Sequence, residues 1–496
     1  MMYKIKVQGD RFVDELGRHV ILHGINLNCK NKDRGYIGDW CSSDFQKMKQ
    51  WGFNVIRLGI IWDGIEPFPG QYDDAYLEKV RTLIRLAHQQ DLYVFLDMHQ
   101  DLYSSLFSDG APSWATITDE EVYTPSDLWS EAYWSNGAVQ RAFDHFWNNS
   151  LAADGIGIQD HIIAAWAHVV KQLGKEPNVI GYDLLNEPSM GSEIQKMIEA
   201  LLSSYARISA SYTGQEPPSP EDLSIIWDDP DRKKDMFLFL NQPAFFAKLM
   251  DSVAPMQAKF EHETLSEFYR KSARAIREFD PHGIIFLETN YMANAGISSA
   301  ITFITNKQGD KDGQQAYAPH GYDLVTDSDE VHAPDNRRVD FIFQRHEETR
   351  SRLELPMLIG EWGAYMESEM AEEASLHVKG IFERLLCSDT YWLYHHPNMD
   401  QYTTIKGICR GYPMAVSGKL ISYSYESADS CYTMQWIEDE NTSNPTKIYL
   451  PNIVNVNLHV EKNTGIRYSI EEIEGCHGGY LYIEPSNGGM RTLQIG

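Results

Sequence analysis

Short apolar runs alternate with amphipathic stretches over most of the chain, after an opening segment at residues 4–22 that is typical of a β-hairpin. Between the second and third runs, apolar residues recur at the spacing of one helix face, as at Tyr76, Val80, Leu83 and Ala87. Eight buried strands with intervening helices predict a (β/α)8 TIM barrel, whose functional groups collect at the C-terminal ends of its strands. The predicted strands cover residues 20–26, 55–58, 93–97, 180–185, 284–288, 315–319, 357–360 and 391–394.

Residues 191 to about 260 form a stretch that is too long for an ordinary loop between a strand and a helix. Its first part carries apolar residues at helical spacing, which predicts an amphipathic helix. A Pro-rich turn at 217–220 and two strongly apolar segments at 236–240 and 245–246 follow. We therefore predict a helical insert in the barrel. The amphipathic series consists of Ile194, Met197, Ile198, Leu201, Leu202 and Tyr205.

The pattern changes near residue 410, where short alternating segments are separated by Gly, Pro, Asn and Ser. This pattern predicts a small antiparallel β-sandwich. The domain prediction is a catalytic barrel over residues 1–408, with the insert at about 191–260, followed by a C-terminal β-sandwich over residues 409–496.

The composition agrees with a large domain and a small one, because 496 residues exceed what one compact core of ordinary size holds. The 43% hydrophobic and 23% charged residues are typical of a soluble globular protein. A formal net charge of -28 repels nucleic acid and anionic membrane surfaces, so neutral molecules or polar lipid head groups are the expected partners.

The N-terminal residues 1–7 lack the apolar core of a signal peptide, and the sequence has no apolar run long enough to cross a bilayer. As written, the sequence predicts a cytoplasmic protein, or an exported one if a signal has been removed. The six cysteines are spaced too widely for a CxxC motif. Buried free thiols are expected, with a disulfide among the later cysteines as the alternative in an exported protein.

Two predicted strands each end in a carboxylate, Glu187 within residues 181–188 and Glu361 within residues 358–363. A glycosidase that retains configuration needs two carboxyl groups about 5–5.5 Å apart. We assign Glu187 as general acid and then general base, and Glu361 as nucleophile. Pro188, with its fixed φ and missing N–H, ends the strand and helps to direct Glu187 into the barrel mouth.

Polar neighbours are predicted to support these roles. Asn186 is expected to donate to a sugar 2-hydroxyl, a contact that strengthens in the transition state. Arg57 and Tyr322 are expected to keep Glu361 ionised, since a nearby cation or donor favours the charged form. Each motif alone is uninformative, and the alternative interpretation is that Glu187 and Glu361 are solvated surface carboxylates. The ordered placement of the motifs at strand ends favours the catalytic interpretation. The motifs are residues 54–58, 97–100, 186–188, 320–322, 360–363 and 391–392.

This ordered set resembles glycoside hydrolase family 5, and residues 97–103, 110–116, 141–147 and 410–418 look like the bacterial endoglycoceramidases. The resemblance implies Glu187 as acid/base, Glu361 as nucleophile, and a lysine on the loop after the first strand. Both Lys30 and Lys32 are available; Lys32 is preferred, and an ordinary solvated lysine is the alternative. The predicted substrate-binding residues are Lys32, Arg57, His99, Asp101, Asn186, His320, Tyr322 and Trp392.

The predicted reaction is hydrolysis of the β-linkage between glycan and ceramide in glycosphingolipids, by double displacement through a glycosyl-Glu361 intermediate. The nearest alternative is an exo-acting β-glucosidase or glucosylceramidase that removes one sugar, and an endo-β-glucanase is a further one. A catalytically silent glycolipid-binding protein is the alternative from another class. Neither a metal nor a cofactor is expected, because HExxH, dinucleotide-binding and phosphate-loop motifs are missing from the sequence.

Aromatic residues provide candidate surfaces for sugar and lipid. Trp392 is predicted to stack on a pyranose ring, and Trp62, Trp114 and Trp129 are further candidates that would equally suit a core. The insert is expected either to form an apolar groove for ceramide chains or to pack on itself as a lid. The C-terminal sandwich is expected either to contact lipid aggregates or to brace the barrel.

Overall fold

The fold is given by a computed structural model that describes residues 2–219, 222–223, 225, 229–326, 334–365, 368, 370–454 and 466–496. The strands are β1 (Ile5–Gln8), β2 (Arg11–Asp14), β3 (His19–Val20), β4 (His23–Leu27), β5 (Val55–Ile61), β6 (Tyr93–His99), β7 (Val179–Asp183), β8 (Ile284–Leu287), β9 (Gln315–Tyr317), β10 (His320–Gly321), β11 (Leu358–Ile359), β12 (Glu361–Trp362), β13 (Ser388–Tyr391), β14 (Tyr412–Val416), β15 (Gly418–Glu426), β16 (Cys431–Glu438), β17 (Thr446–Leu450), β18 (Tyr468–Glu472), β19 (Gly479–Ile483) and β20 (Gly489–Ile495).

The α-helices are α1 (Ser42–Gln50), α2 (Trp62–Ile65), α3 (Asp74–Gln89), α4 (Ala132–Ser135), α5 (Gly137–Trp147), α6 (Ile158–Leu173), α7 (Glu193–Thr213), α8 (Pro230–Leu240), α9 (Pro243–Phe260), α10 (Ser266–Arg277), α11 (Asn336–Leu353), α12 (Ala371–Leu385) and α13 (Ile405–Ile408). A π-helical turn at Glu261–Leu265 joins α9 to α10.

Eight parallel strands form the barrel, in the order β11-β13-β4-β5-β6-β7-β8-β9. The two ends of this row meet through a parallel bridge between Tyr317 and Met357. The short strands β10 and β12 continue the wall above that bridge and pair His320 with Glu361. Strands such as β5 and β8 are nearly continuous apolar runs because both of their faces are covered, whereas β13 has the sequence Ser-Asp-Thr-Tyr and is buried with polar side chains. The predicted (β/α)8 fold is confirmed.

Two predicted strands differ from the observed ones. The predicted strand 20–26 is interrupted, because Val20 pairs within another sheet and the chain enters the barrel at His23. The last barrel strand is Ser388–Tyr391 instead of 391–394. The apolar run continues past the last paired residue, and Trp392 belongs to the barrel mouth.

The N-terminal hairpin closes the lower end of the barrel. Its side chains pack in one cluster with the first residues of the barrel strands, Phe12 among them meeting Phe286 at 6.3 Å between ring centroids. Strand β3 then pairs antiparallel with β14, matching Val20 with Ala415. The two ends of the chain therefore share one sheet, which the sequence pattern did not predict.

The C-terminal region consists of two antiparallel sheets. One has the order β1-β2-β3-β14-β17-β19-β18 and the other β15-β16-β20. Tyr412 and Val416 of the first sheet share a buried cluster with Met434 and Trp436 of the second. This arrangement confirms the predicted antiparallel sheet-rich domain.

The helical insert packs against the outside of the barrel. The predicted amphipathic helix is α7, whose buried residues include Ile194, Met197 and Tyr205. Phe246 of α9 meets Phe341 of α11 with ring centroids 5.3 Å apart. The insert is therefore joined to the barrel helix that follows β10.

No helix in the described ranges is long and apolar enough to cross a bilayer. The six cysteines carry free thiols, and Cys387 is buried whereas Cys41 and Cys476 are exposed. The expectation of buried thiols is thus wrong for the latter two.

Candidate active site

Glu187 stands in the loop after β7 and is held by its backbone. Its φ of 42° lies in the left-handed region, which non-glycine residues rarely adopt and which costs on the order of 1–3 kcal/mol. The Glu187 N–H donates to Glu288 Oε2 at 2.8 Å. The preceding Asn186 N–H donates to the Met98 carbonyl at 3.0 Å. These bonds stabilise the strained turn and direct the Glu187 carboxyl group into the mouth.

Glu361 opens β12 on the other side of the mouth. Arg57 Nη1 donates to Glu361 Oε1 at 2.6 Å, and the Tyr322 hydroxyl donates to Oε2 at 2.8 Å. One oxygen of Glu187, one oxygen of Glu361 and one ring nitrogen of His320 lie within 4.8 Å of one another. This separation suits a retaining pair at about 5–5.5 Å and is too short for an inverting pair at about 6.5–9.5 Å.

His320 lies between the two acids and a third carboxylate. Its Nδ1 is 2.9 Å from Glu187 Oε1 and 3.6 Å from Glu361 Oε2, and its Nε2 is 3.3 Å from Glu288 Oε1. Burial alone would lower the pKa of His320, but the carboxylates of Glu288 and Glu361 raise it well above its ordinary value. The imidazole is therefore a buried cation behind the acids.

Arg57 is a second buried cation beneath the mouth. It contacts the carboxylates of Asp183 at 2.9 Å, Glu288 at 2.5 Å and Glu361 at 2.6 Å. Arg57 and His320 are both fully enclosed behind the acids. Neither side chain is among the residues that line the cavity, and both contact the carboxylates behind it; their contact with substrate stays a prediction.

Burial raises the pKa of both Glu187 and Glu361, because desolvation disfavours their charged forms. For Glu361, Arg57 and His320 act against this rise, and the nearby Glu187 adds to it. For Glu187, the hydrogen bond from His320 acts against the rise. A buried pair of carboxyl groups at this distance retains one proton well above the range of an ordinary glutamic acid.

A cavity of about 360 Å³ opens over the two acids. Its polar part carries Lys30, His99, Asp101 and Asn186. The remaining wall is largely apolar. It is lined by Leu128, Trp129, Trp134, Tyr291, Met292, Leu324 and Trp392.

The polar part is organised around Trp392. Its ring stacks on His99, with centroids 5.3 Å apart and planes 13° apart. The Lys30 ammonium lies 4.9 Å from the centroid of Trp392 and 5.7 Å from that of Trp129, and it forms an ion pair with Asp101. Asp97 holds the His99 ring from below the cavity, because its Oδ2 lies 2.8 Å from His99 Nδ1.

The preference for Lys32 is corrected by this geometry. Lys32 Nζ pairs with Asp63 at 2.7 Å and its side chain is 60% exposed, whereas Lys30 lines the cavity. Of the tryptophans considered as platforms, Trp129 lines the cavity, and Trp62 is buried against Trp114 outside it. No insert residue among those described lines this cavity, and an apolar groove elsewhere on the insert stays a prediction.

Two residues of the site were missed. Glu288 follows the last residue of β8, and a carboxylate at the end of an apolar run was the available signal. Asn294 Nδ2 donates to Glu187 Oε1 at 2.6 Å. It lies in a short turn after β8, at Tyr291–Ala295, and no sequence pattern indicated where its amide points.

Two clusters of side chains would suit the distances of a metal site, namely Asp183, Glu288 and His320, and Glu187, His320 and Glu361. Both contain the cationic His320, and Arg57 already binds carboxylates of both. The donor chemistry therefore fits proton transfer better than metal binding.

The family model described as "Cellulase (glycosyl hydrolase family 5)" matches residues 13–210 and 244–398. The chain belongs to glycoside hydrolase family 5. The model of the glycoside hydrolase family 5 C-terminal domain matches residues 410–495. The predicted boundary at 408/409 falls between the two matches.

Curated relatives of this family 5 hydrolase match part of its length. An endoglycoceramidase of Cyanea nozakii is 30% identical over 224 residues, which cover 38% of this chain and 42% of the relative. Endoglycoceramidase I of Rhodococcus hoagii is 31% identical over 192 residues, covering 38% and 37%. A glucosylceramidase of Aspergillus fumigatus is 29% identical over 248 residues, covering 38% and 32%. The aligned part thus spans less than half of each relative.

Solved structures share the fold over nearly the whole chain. Endo-glycoceramidase II from Rhodococcus sp. aligns with a TM-score of 0.73 at 23% identity, covering 97% of this chain and 98% of the other. Sterylglucosidase 1 of Cryptococcus neoformans aligns with a TM-score of 0.68 at 16% identity, covering 99% and 96%. The barrel and the C-terminal sheets therefore form one architecture that is common to these proteins.

Proposed function

We propose that this family 5 hydrolase cleaves the β-linkage between glycan and ceramide in glycosphingolipids, with retention of configuration. The observation that carries the proposal is that Glu187 and Glu361 come within 4.8 Å of each other in one cavity, whose lining contains polar side chains such as Asp101 and Asn186 and apolar ones such as Met292 and Leu324. A substrate with a sugar on one side of the scissile bond and a lipid on the other suits this mixed lining. The names of the curated relatives support the same substrate class.

Glu361 is the nucleophile and Glu187 the acid/base. Glu361 accepts hydrogen bonds from the guanidinium of Arg57 and the hydroxyl of Tyr322, which stabilise its anion. Glu187 Oε1 accepts from the amide of Asn294 and lies 2.9 Å from His320 Nδ1, and the left-handed turn directs the carboxyl group toward the leaving group. We assign the proton retained by the pair to Glu187, because the Arg57 guanidinium pairs directly with Glu361.

The reaction proceeds in two displacements. A Glu361 oxygen attacks the anomeric carbon while Glu187 gives its proton to the departing ceramide oxygen, leaving a glycosyl ester on Glu361. Ionised Glu187 then removes a proton from a water molecule as that water attacks the same carbon. The ester breaks, the glycan leaves with a hydroxyl at its anomeric carbon, and both acids return to their starting states.

The polar pocket orients the sugar. Asn186 donates to the 2-hydroxyl, Trp392 stacks on the ring, and Lys30 with Asp101 holds more distant hydroxyls. The apolar lining residues Tyr291, Met292 and Leu324 receive the first part of the ceramide. Contact with the surface of a lipid aggregate follows from this orientation, because the ceramide remains anchored there.

Removal of a single glucose from ceramide is the second candidate function. It is favoured by the similarity to the glucosylceramidase of Aspergillus fumigatus, at 29% identity. In that case the pocket would end beyond one sugar, with Lys30 and Trp129 closing it.

Mass spectrometry of the products from a ganglioside and from glucosylceramide separates these functions. The proposal predicts an intact oligosaccharide and ceramide from the ganglioside, and no release of these products by Glu361→Gln. Release of monosaccharide alone would overturn endo-action in favour of the second candidate. Hydrolysis of cellulose oligomers but of no glycolipid would overturn the substrate class.

A further inference from the structure

Residues 211–243 lie outside the match to the family 5 model. This segment contains α8 and the turn that follows it. Asn241 in that turn accepts a hydrogen bond from Nη1 of Arg338, which lies in the first turn of α11. The Arg338 guanidinium also lies 5.4 Å from the ring centroid of Phe237 in α8. Arg338 is thus one contact between the insert and α11, beside the Phe246–Phe341 contact and the ion pair of Arg345 with Asp251.

The same arginine forms a two-point pair with Asp323. Arg338 Nε lies 2.6 Å from Asp323 Oδ1 and Nη2 lies 2.9 Å from Oδ2. Both side chains are buried, at 2% and 1% exposure. A planar guanidinium that makes two parallel bonds to one carboxylate fixes both the distance and the direction of that carboxylate. Asp323 is therefore held by Arg338, together with the Asp335 N–H, which donates to Asp323 Oδ2 at 2.7 Å.

Asp323 connects this pair to the catalytic acids. It lines the cavity and follows Tyr322, whose hydroxyl donates to Glu361 Oε2 at 2.8 Å. The Tyr322 N–H donates to the Asn294 carbonyl at 3.2 Å, and the Asn294 side chain donates to Glu187. A displacement of Asp323 would thus move the Tyr322 hydroxyl, which donates a hydrogen bond to Glu361.

We propose that Arg338 is a positioning residue for the hydrolysis, and that through Asp323 it holds the Tyr322 hydroxyl against Glu361 while anchoring the insert at Asn241. The inference rests on the proposed function, since it needs Glu361 to be the nucleophile. The insert then has a role behind the cavity wall, because Asn241 stabilises the Arg338 guanidinium in the orientation that Asp323 requires.

A double-mutant cycle on the full chain tests this role, with kcat and KM measured on an aryl β-glycoside that bears a good leaving group. Tyr322→Phe should lower kcat on the order of 100-fold, because it removes a donor to the reacting carboxylate. Arg338→Lys keeps the charge but loses the two-point geometry, and should lower kcat on the order of tenfold with KM little changed. In the Tyr322→Phe background the same change should cost less than about twofold, since its effect passes through Tyr322.

Arg277→Lys is the matched control. Arg277 makes a similar two-point pair with Asp312, at 2.8 and 3.1 Å, and lies outside the cavity lining. Arg277→Lys should leave kcat unchanged both in the unaltered chain and in Tyr322→Phe. Thermal unfolding of each variant shows whether a lower kcat comes from a loss of folded protein or from a loss of positioning. Equal multiplicative losses for Arg338→Lys in both backgrounds would overturn the proposal.

Asn241→Ala tests the attachment of the insert. It should lower kcat in the same direction as Arg338→Lys, and again with little further loss in Tyr322→Phe. Unchanged kcat in Asn241→Ala would overturn the part assigned to the insert. Full activity of Tyr322→Phe would likewise overturn the positioning proposal and leave the proposed function intact. If the unaltered protein hydrolysed no β-glycoside, the proposed function would fail instead.

Discussion

Glu187 and Glu361 are chemically identical side chains, and their different surroundings support the different roles that we propose for them. Glu361 accepts hydrogen bonds from Arg57 and Tyr322, whereas Glu187 accepts one from the amide of Asn294 and lies 2.9 Å from His320 Nδ1. Both acids could be picked out in the sequence, because each follows a short apolar run. The left-handed turn at Glu187 and the amide of Asn294 were not, since each depends on which loops meet across the barrel.

The leaving group tests the role of Glu187. Glu187→Gln should reduce hydrolysis of glycosphingolipids by on the order of 100-fold or more, because the ceramide oxygen must be protonated as it departs. An aryl β-glycoside with a good leaving group should be affected much less in its first displacement. Steady-state and burst kinetics on both substrates provide the measurement, and equal loss in the first displacement would contradict the assignment.

The pH profile reports the shared proton. Activity should fall as pH rises through the elevated pKa of Glu187, because the acid is then deprotonated, and as pH falls through the pKa of Glu361, because the nucleophile gains a proton. The profile of activity against pH is therefore bell-shaped. Since burial raises the pKa of both acids, its maximum should lie at a higher pH than ordinary glutamic acids, with a pKa near 4.5, would give. The measurement is kcat/KM across pH, and a profile centred on the range of exposed carboxylates would contradict the account.

At the scale of elements, the site is assembled from loops that follow different barrel strands. The strands themselves were predictable, since apolar runs in the sequence match β5, β6, β7 and β8 closely. The loops were not, because their conformation depends on tertiary contacts. The loop after β4 shows this: two lysines two residues apart were indistinguishable by pattern, yet Lys30 enters the cavity and Lys32 pairs with Asp63.

The two lysines on that loop form a matched pair of variants. Lys30→Ala removes the cation beside Asp101 and the ring of Trp392, so kcat/KM for a glycosphingolipid should fall by on the order of tenfold or more. Lys32→Ala removes a largely exposed ion pair and should change kcat/KM by less than about twofold. Steady-state kinetics on both variants is the measurement, and a larger effect of Lys32→Ala would contradict the placement of Lys30.

At the scale of the whole molecule, the barrel and the C-terminal sheets are joined by a buried polar cluster. Asp389 in β13 accepts from Arg410 Nη2 at 2.6 Å and from Trp362 Nε1 at 3.1 Å, and its Oδ1 lies 3.0 Å from His23 Nδ1. Arg410 and His23 hold the pKa of Asp389 below its ordinary value, although burial alone would raise it. The pairing of β3 with β14 adds a second link. Sequence patterns are local and did not indicate either connection.

Removing the guanidinium from this cluster should destabilise the whole protein. Arg410→Met leaves the Asp389 carboxylate buried without its cation, which should lower the free energy of unfolding by roughly 3–5 kcal/mol. Arg85→Met removes an arginine that is 61% exposed and pairs with Glu176, and should cost less than about 1 kcal/mol. Urea unfolding measures the change in the free energy of unfolding for both variants. Similar small changes would show that the cluster around Asp389 contributes little to stability.

The central claim is that Glu361 forms a covalent bond to the sugar, and trapping of that ester tests it most directly. The protein is incubated with an activated 2-deoxy-2-fluoro β-glycoside, whose fluorine slows breakdown of the intermediate, and its intact mass and peptides are measured. The account predicts an added mass of one glycosyl group per chain, located on Glu361, and no addition in Glu361→Gln. An adduct on another residue, or hydrolysis with inversion at the anomeric carbon, would contradict it.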